Sequence, residues 1–135
     1  MKECVLCKIL KGEISSHKVW EDKEFFAFMD INPINPGHVL LVPKKHVEYV
    51  FNLPDGEYKK IFEHAKFISS AIQRATKTKR IGIAIEGLSV PHAHIHLVPI
   101  NNPNDLDPCR ARKAEHNELQ QMAEKIITQI EKTGA

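Results

Sequence analysis

The sequence predicts an α+β fold: an antiparallel sheet of about five strands, a long helix packed on it, and a second helix near the C-terminus. Three observations lead there. Short aromatic and β-branched runs lie near the N-terminus with only turn residues between them, too close to admit crossover helices. Two longer stretches carry apolar residues at three- and four-residue spacing. A third segment, residues 90–99, alternates histidine with apolar residues in the order VPHAHIHLVP.

Taken in order, residues 4–10 form a short opening helix or turn, closed by Gly12. Residues 17–20 and 24–29 are two short strands separated by the turn Glu21-Asp22-Lys23. Asn32-Pro33-Ile34-Asn35-Pro36-Gly37 is a loop by its turn chemistry. It feeds the apolar strand 38–43, with Lys44-Lys45-His46 at its end. Asn52-Leu53-Pro54-Asp55 opens a helix whose buried stripe is Tyr58, Ile61, Phe62, Ala65, Ile68 and Ile72. Residues 81–86 are a strand, Gly87 makes a turn or bulge, and the histidine strand follows. After a polar loop at 101–108, the last helix carries Leu119, Met122, Ala123, Ile126, Ile127 and Ile130 on one stripe. That stripe packs either on its own sheet or on a partner chain.

A length of 135 residues fits one domain with a single core. A formal net charge of +2, with lysines scattered among acids, gives no nucleic-acid surface. No apolar run is long enough for a signal peptide or a membrane span. Three cysteines do not make a disulfide framework, so the expected compartment is the cytoplasm. No internal repeat, P-loop or dinucleotide fingerprint is present.

The chemistry is concentrated in His92, His94 and His96. On a strand they line one face, with Ala93, Ile95 and Leu97 on the other. A neutral imidazole attacks phosphorus well near neutral pH. His94 can serve as nucleophile if its other ring nitrogen is held by a carbonyl. His96 can then bind a non-bridging oxygen as charge develops. The rival readings are one zinc ligated by the alternating histidines, or three half-buried sheet residues with no chemistry. Against hydrolytic zinc, no Asp or Glu lies within the motif to act as base.

Cys4-Val5-Leu6-Cys7 has zinc-ligand spacing and needs two further donors. His46 and His92 are the suitable suppliers, which makes His92 structural and leaves His94 and His96 for catalysis. The alternative is two reduced cysteines packed in an N-terminal turn.

Together these residues resemble the histidine-triad (HIT) family of nucleotide hydrolases and transferases, in its zinc-containing bacterial-type branch. The signature reads His92-Ala93-His94-Ile95-His96-Leu97-Val98. Cys4-Val5-Leu6-Cys7-Lys8-Ile9 is similar to the opening of the zinc branch. Phe28-Met29-Asp30 and Asn35-Pro36-Gly37-His38 are similar to its nucleoside-binding segment, and Val42-Pro43-Lys44-Lys45-His46 to its basic strand end. The resemblance covers roughly residues 4–100.

The resemblance implies a purine nucleoside monophosphate site. Asp30 would hold the ribose hydroxyls, Leu6, Ile9 and Phe28 would sandwich the base, and His38 would stand behind the catalytic row. His94 would be the nucleophile and His96 the phosphate donor. A structural zinc would sit on Cys4, Cys7, His46 and His92, with no catalytic metal required, and two chains would pair as a homodimer. One departure concerns the segment before the triad. Relatives carry Gly-Gln-x-Val there, and this chain has Gly87-Leu88-Ser89-Val90, so Leu88 cannot donate where a glutamine does. The family's upstream asparagine is missing as well. Ser89 keeps a hydroxyl able to reach the phosphate or leaving group. Losing a transition-state donor costs about 3 kcal/mol unless it is replaced.

The expected activity is hydrolysis of purine nucleoside phosphoramidates or related adenylylated compounds through a nucleotidyl-His94 intermediate. The alternatives are a dinucleoside polyphosphate hydrolase, a nucleotide-binding module without turnover, and a zinc-dependent hydrolase using all three histidines. The loop around Asp105 and Asp107 and the closing helix are expected to cap the substrate's far side or to join a dimer interface.

Overall fold

A computed structural model describes residues 4–133. The elements are α1 (Val5–Leu10), β1 (Lys18–Glu21), β2 (Phe25–Met29), β3 (Val39–Pro43), α2 (Asp55–Thr76), β4 (Arg80–Ala84), β5 (Ile95–Ile100) and α3 (His116–Lys132). The five strands form one sheet in the order β1-β2-β3-β5-β4, and every neighbouring pair is antiparallel. Among the described residues, no helix is long and apolar enough to cross a membrane.

Alternation along the strands gives the sheet two different faces. Phe25, Ala27, Met29, Val39, Leu41, Ile95 and Leu97 point toward α2 and α3 and form the main core. The long helix delivers Ile61, Ala65, Ile68 and Ile72 to that core from one stripe. It starts with Asp55 and Glu57 in its first turn, where carboxylates suit the helix dipole. It ends at Lys77, whose left-handed backbone returns its N–H to Gln73 O at 2.7 Å. The stripe of α3 buries Leu119, Ala123, Ile126 and Ile130 in this same core, so it packs within its own chain.

The opposite face holds the smaller cluster of Cys4, Leu6, Phe26, Phe28 and Val42, covered by α1. Gly12, at φ +80°, turns the chain away after that helix. At the far end, Leu106 packs on β4 at Gly82, where a Cβ would lie 3.3 Å from its methyls. The polar loop therefore flanks this face and does not line the pocket between. Ladder pairing sets Phe28, Leu40, His96 and Ala84 in one row across the sheet.

The sequence places His92, His94 and His96 on one strand, but β5 begins only at Ile95. Pairing with β3 stops at Leu41–Ile95. Beyond that point, the Pro43 carbonyl faces the His92 ring (Nε2 at 2.9 Å), and Ala93 N–H goes to Val47 O at 2.6 Å. His92 and His94 thus lead into the strand rather than lying within it. Three other strands match their expected positions to within two residues, and β2 lies inside its expected range.

Candidate active site

The row across the sheet opens into a pocket of about 410 Å³, bounded by Leu6 and Ile9 of α1, Phe28, Asp30, His94 and His96. Leu6, Ile9 and Phe28 contribute apolar surface to its lining. Asp30 sits at the end of β2, where its carboxylate accepts Asn32 N–H at 2.8 Å. Burial pushes its pKa up, partly offset by that hydrogen bond and by nearby His94.

His94 is 9% exposed, and its Nδ1 lies 2.7 Å from the carbonyl oxygen of His92. A carbonyl only accepts, so in the neutral ring Nδ1 carries the proton and Nε2 keeps its lone pair. This is the tautomer a nucleophile needs.

The tautomer of His96 is set by a longer chain of contacts. Ile34 N–H donates to His38 Nδ1 at 3.0 Å, which leaves the proton of His38 on Nε2. That atom lies 2.9 Å from His96 Nδ1 and donates to it. The proton of His96 is thereby held on Nε2, as a donor. Burial, with a smaller contribution from His96, pushes His38 down to about 3, and burial with His94 pushes His96 down to about 4. Both rings are neutral at physiological pH. Asp30 stands 3.4 Å from His38 Nε2, so Asp30, His38 and His96 form one compact group.

The loop carrying Ile34 is anchored by a residue the sequence did not single out for chemistry. Asn35 donates through Nδ2 to Pro99 O at 2.9 Å and to Asp105 O at 2.8 Å. Its Oδ1 accepts from Arg110 Nη2 at 2.7 Å and Nε at 3.2 Å. Alongside, Arg112 N–H and Ala114 N–H bond to Pro33 O and Ile31 O. Residues 110–114 thus strap down the turn behind the histidines. Turn composition marked this loop, but its partners lie about seventy positions away and leave no local signal.

A second cluster lies directly behind His94. Cys4, Cys7, His46 and His92 bring one donor atom each to within 4.8 Å of one another. Cys4 Sγ and Cys7 Sγ lie 3.4 and 3.5 Å from His92 Nδ1. His46 Nδ1 is 3.3 Å from Cys7 Sγ and 3.2 Å from His92 Nδ1. Bonds of about 2.3 Å to sulfur and 2.0–2.1 Å to nitrogen at tetrahedral angles require separations of roughly 3.3–3.8 Å, close to those found. His92 gives its other nitrogen to Pro43 O, so its Nδ1 lone pair faces the two sulfurs and His46. Converging lone pairs of this kind fit a zinc ion. The triplet's own three rings do not converge on one point, since neither donor cluster among the described residues contains His94.

All twelve residues singled out from the sequence fall in these two adjoining sites, with Ser89 at the exposed rim of the pocket. Leu88 is 86% exposed and lies outside the lining. Glu86 does line the pocket, and sequence reading had given it no role.

The family model described as "HIT domain" matches residues 11–103. An uncharacterised HIT-like protein from Borreliella burgdorferi is 38% identical over 106 residues, covering 73% of this chain and 76% of that one. An adenosine 5′-monophosphoramidase from Candida albicans is 33% identical over 105 residues, covering 71% of this chain and 69% of its own. Among solved structures, a zinc-bound histidine triad protein from Mycobacterium smegmatis superposes with a TM-score of 0.85 at 23% identity, covering 98% of this chain and 96% of that one.

Proposed function

The chain belongs to the HIT domain family, and from that premise we propose that it hydrolyses purine nucleoside phosphoramidates or related adenylylated compounds, releasing a nucleoside monophosphate. The observation that carries this is the 2.7 Å contact from His94 Nδ1 to the His92 carbonyl, which leaves the lone pair on Nε2 of a ring that lines the pocket. The activity named for the Candida relative points the same way.

In the proposed cycle the base lies between Phe28 and the α1 residues Leu6 and Ile9, and Asp30 accepts from the ribose hydroxyls. His94 Nε2 attacks the α-phosphorus and forms a P–N bond. The bond to the leaving amine breaks with its electron pair on nitrogen, which takes up a proton from water. Water then attacks phosphorus, the P–Nε2 bond breaks, and the water's proton passes to solvent. His96 Nε2–H donates to a non-bridging oxygen throughout, with Ser89 donating at the rim. Holding this geometry ready before substrate arrives is what lowers the barrier.

Zinc on Cys4, Cys7, His46 and His92 would be structural, tying α1 to the segment that carries His94. No catalytic metal enters the scheme. Residues 1–135 are proposed to act as one cytoplasmic unit, without nucleic acid or membrane partners. A homodimer is proposed through the open edge of β4, where Ile83 is 42% exposed.

The test is intact mass after rapid quenching with adenosine 5′-phosphoramidate. The unaltered chain should carry a nucleotidyl adduct, and His94→Ala none. Turnover without an adduct on His94 would overturn the covalent route. Binding without turnover would instead favour the module that has lost catalysis.

A further inference from the structure

We propose that Glu86 is a specificity-determining residue of this pocket, selecting phosphoramidates whose leaving group carries a positive charge and rejecting polyphosphates. The proposal rests on the hydrolase reading above and deepens it by naming the leaving group.

Position comes from the sheet. Phe28, Leu40, His96 and Ala84 form one row, with adjacent strands about 4.8 Å apart. Asp30 and Phe28 occupy the β2 end, and the triad histidines lie near the β5 position. A nucleotide with its ribose at Asp30 and its phosphorus before His94 points its leaving group onward, over β4. Glu86 follows Ala84 by two residues, leaves the end of that strand, and lines the same pocket.

Charge supplies the second argument. Asp30 and Glu86 both line the pocket, and among the described residues no lysine or arginine does. The Glu86 carboxylate makes no hydrogen bond or ion pair with another described residue, so its charge is not neutralised locally. A polyphosphate leaving group would bring several negative charges beside a carboxylate, with no cation to offset them. An ammonium on the leaving group would meet that carboxylate as an ion pair. At a solvent-exposed site such a pair contributes about 0.2–1 kcal/mol, or roughly a 1.4- to 5-fold preference.

The experiment compares adenosine 5′-phosphoramidates of pentylamine and of 1,4-diaminobutane, near-isosteric amines ending in methyl and in ammonium, together with diadenosine tetraphosphate. For the unaltered chain, kcat/KM should favour the diamine by about threefold in low salt and less in 0.5 M salt. Glu86→Gln should bring the ratio to about one, Glu86→Lys should invert it, and both should improve diadenosine tetraphosphate relative to the amides. An equal ratio in the unaltered chain and Glu86→Gln, or a preference for diadenosine tetraphosphate in the unaltered chain, overturns the assignment. If no form turns over any substrate, the hydrolase reading fails by itself. Calorimetric binding of the same two amides to His94→Ala, with and without Glu86→Gln, then decides the Glu86 assignment by the same ratio.

Discussion

The Nε2 atom of His38 lies 2.9 Å from Nδ1 of His96, and the direction of that hydrogen bond is imposed by a backbone amide. Ile34 N–H occupies the other nitrogen of His38, so His38 can only donate toward His96. His96 is left with its proton facing outward. A neutral ring in that state donates to a phosphoryl oxygen without first being charged.

It follows that His38→Gln, which keeps polarity but cannot relay the tautomer as a ring does, should lower kcat by about 10–100-fold, the usual range for partners that orient a reacting group. KM should move much less. Nitrogen-15 NMR of the histidine rings should show His96 as the Nε2–H tautomer in the unaltered chain and a mixture in the variant. An unchanged tautomer would refute the relay.

Metal content gives the second prediction. The purified chain should hold one zinc per protomer, and Cys7→Ala should lose it. Because His92 supplies both a donor to that cluster and the carbonyl that positions His94, chelation should lower Tm and kcat together. Activity that survives chelation while Tm falls would separate the two sites.

Gly37 has φ +98°, and a Cβ there would lie 2.6 Å from Thr76 Cγ2 and 3.0 Å from Pro99 Cγ. Gly37→Ala combines left-handed backbone strain with overpacking and should cost about 2–4 kcal/mol. Urea denaturation measures it, and a loss under 1 kcal/mol would mean that the neighbours yield freely.

Acid should weaken the fold earlier than its carboxylates alone would suggest. His38 and His96 titrate near 3 and 4 when folded, below the ordinary value of 6.5, so the unfolded chain binds their protons first as pH falls. The stability tied to the neutral rings is intact above about 6.5 and drains as pH drops toward 4, by up to about 1.4 kcal/mol per pH unit per ring. Asp30, raised by burial, acts in the opposite direction near its own titration. Glu21 and Asp105, lowered by their hydrogen bonds, add losses once pH falls through the ordinary carboxylate range. Unfolding free energy measured between pH 7 and 5 should therefore fall, and fall less steeply in His38→Gln.

Much of this was legible in sequence because periodicity reports local burial. The stripes of α2 and α3 and the apolar strand ending at Pro43 declared themselves, as did the thiol pair at Cys4 and Cys7. The start of β5 did not, because alternation continues through His92 and His94 after the neighbouring strand has turned away. The pocket role of Glu86 and the hub at Asn35 were also hidden. Each depends on which distant strand or carbonyl the fold brings alongside, and residue type carries no trace of that.

The hub gives a last prediction. Asn35→Ala removes donors to Pro99 O and Asp105 O as well as the acceptor for Arg110. It should cost about 1–3 kcal/mol of stability. Arg110→Ala should cost less but should broaden the His96 ring signals by loosening the turn that carries Ile34. Sharp, unshifted signals in Arg110→Ala would contradict this.

Residues 110–114 lie past the end of the family match at 103, yet they brace the turn from which the His96 tautomer is dictated. A chain trimmed at residue 103 would keep all three triad histidines and lose the buttress beneath them. Substitutions in this strap are then a route by which the proposed phosphoryl chemistry can be retuned without altering a single histidine.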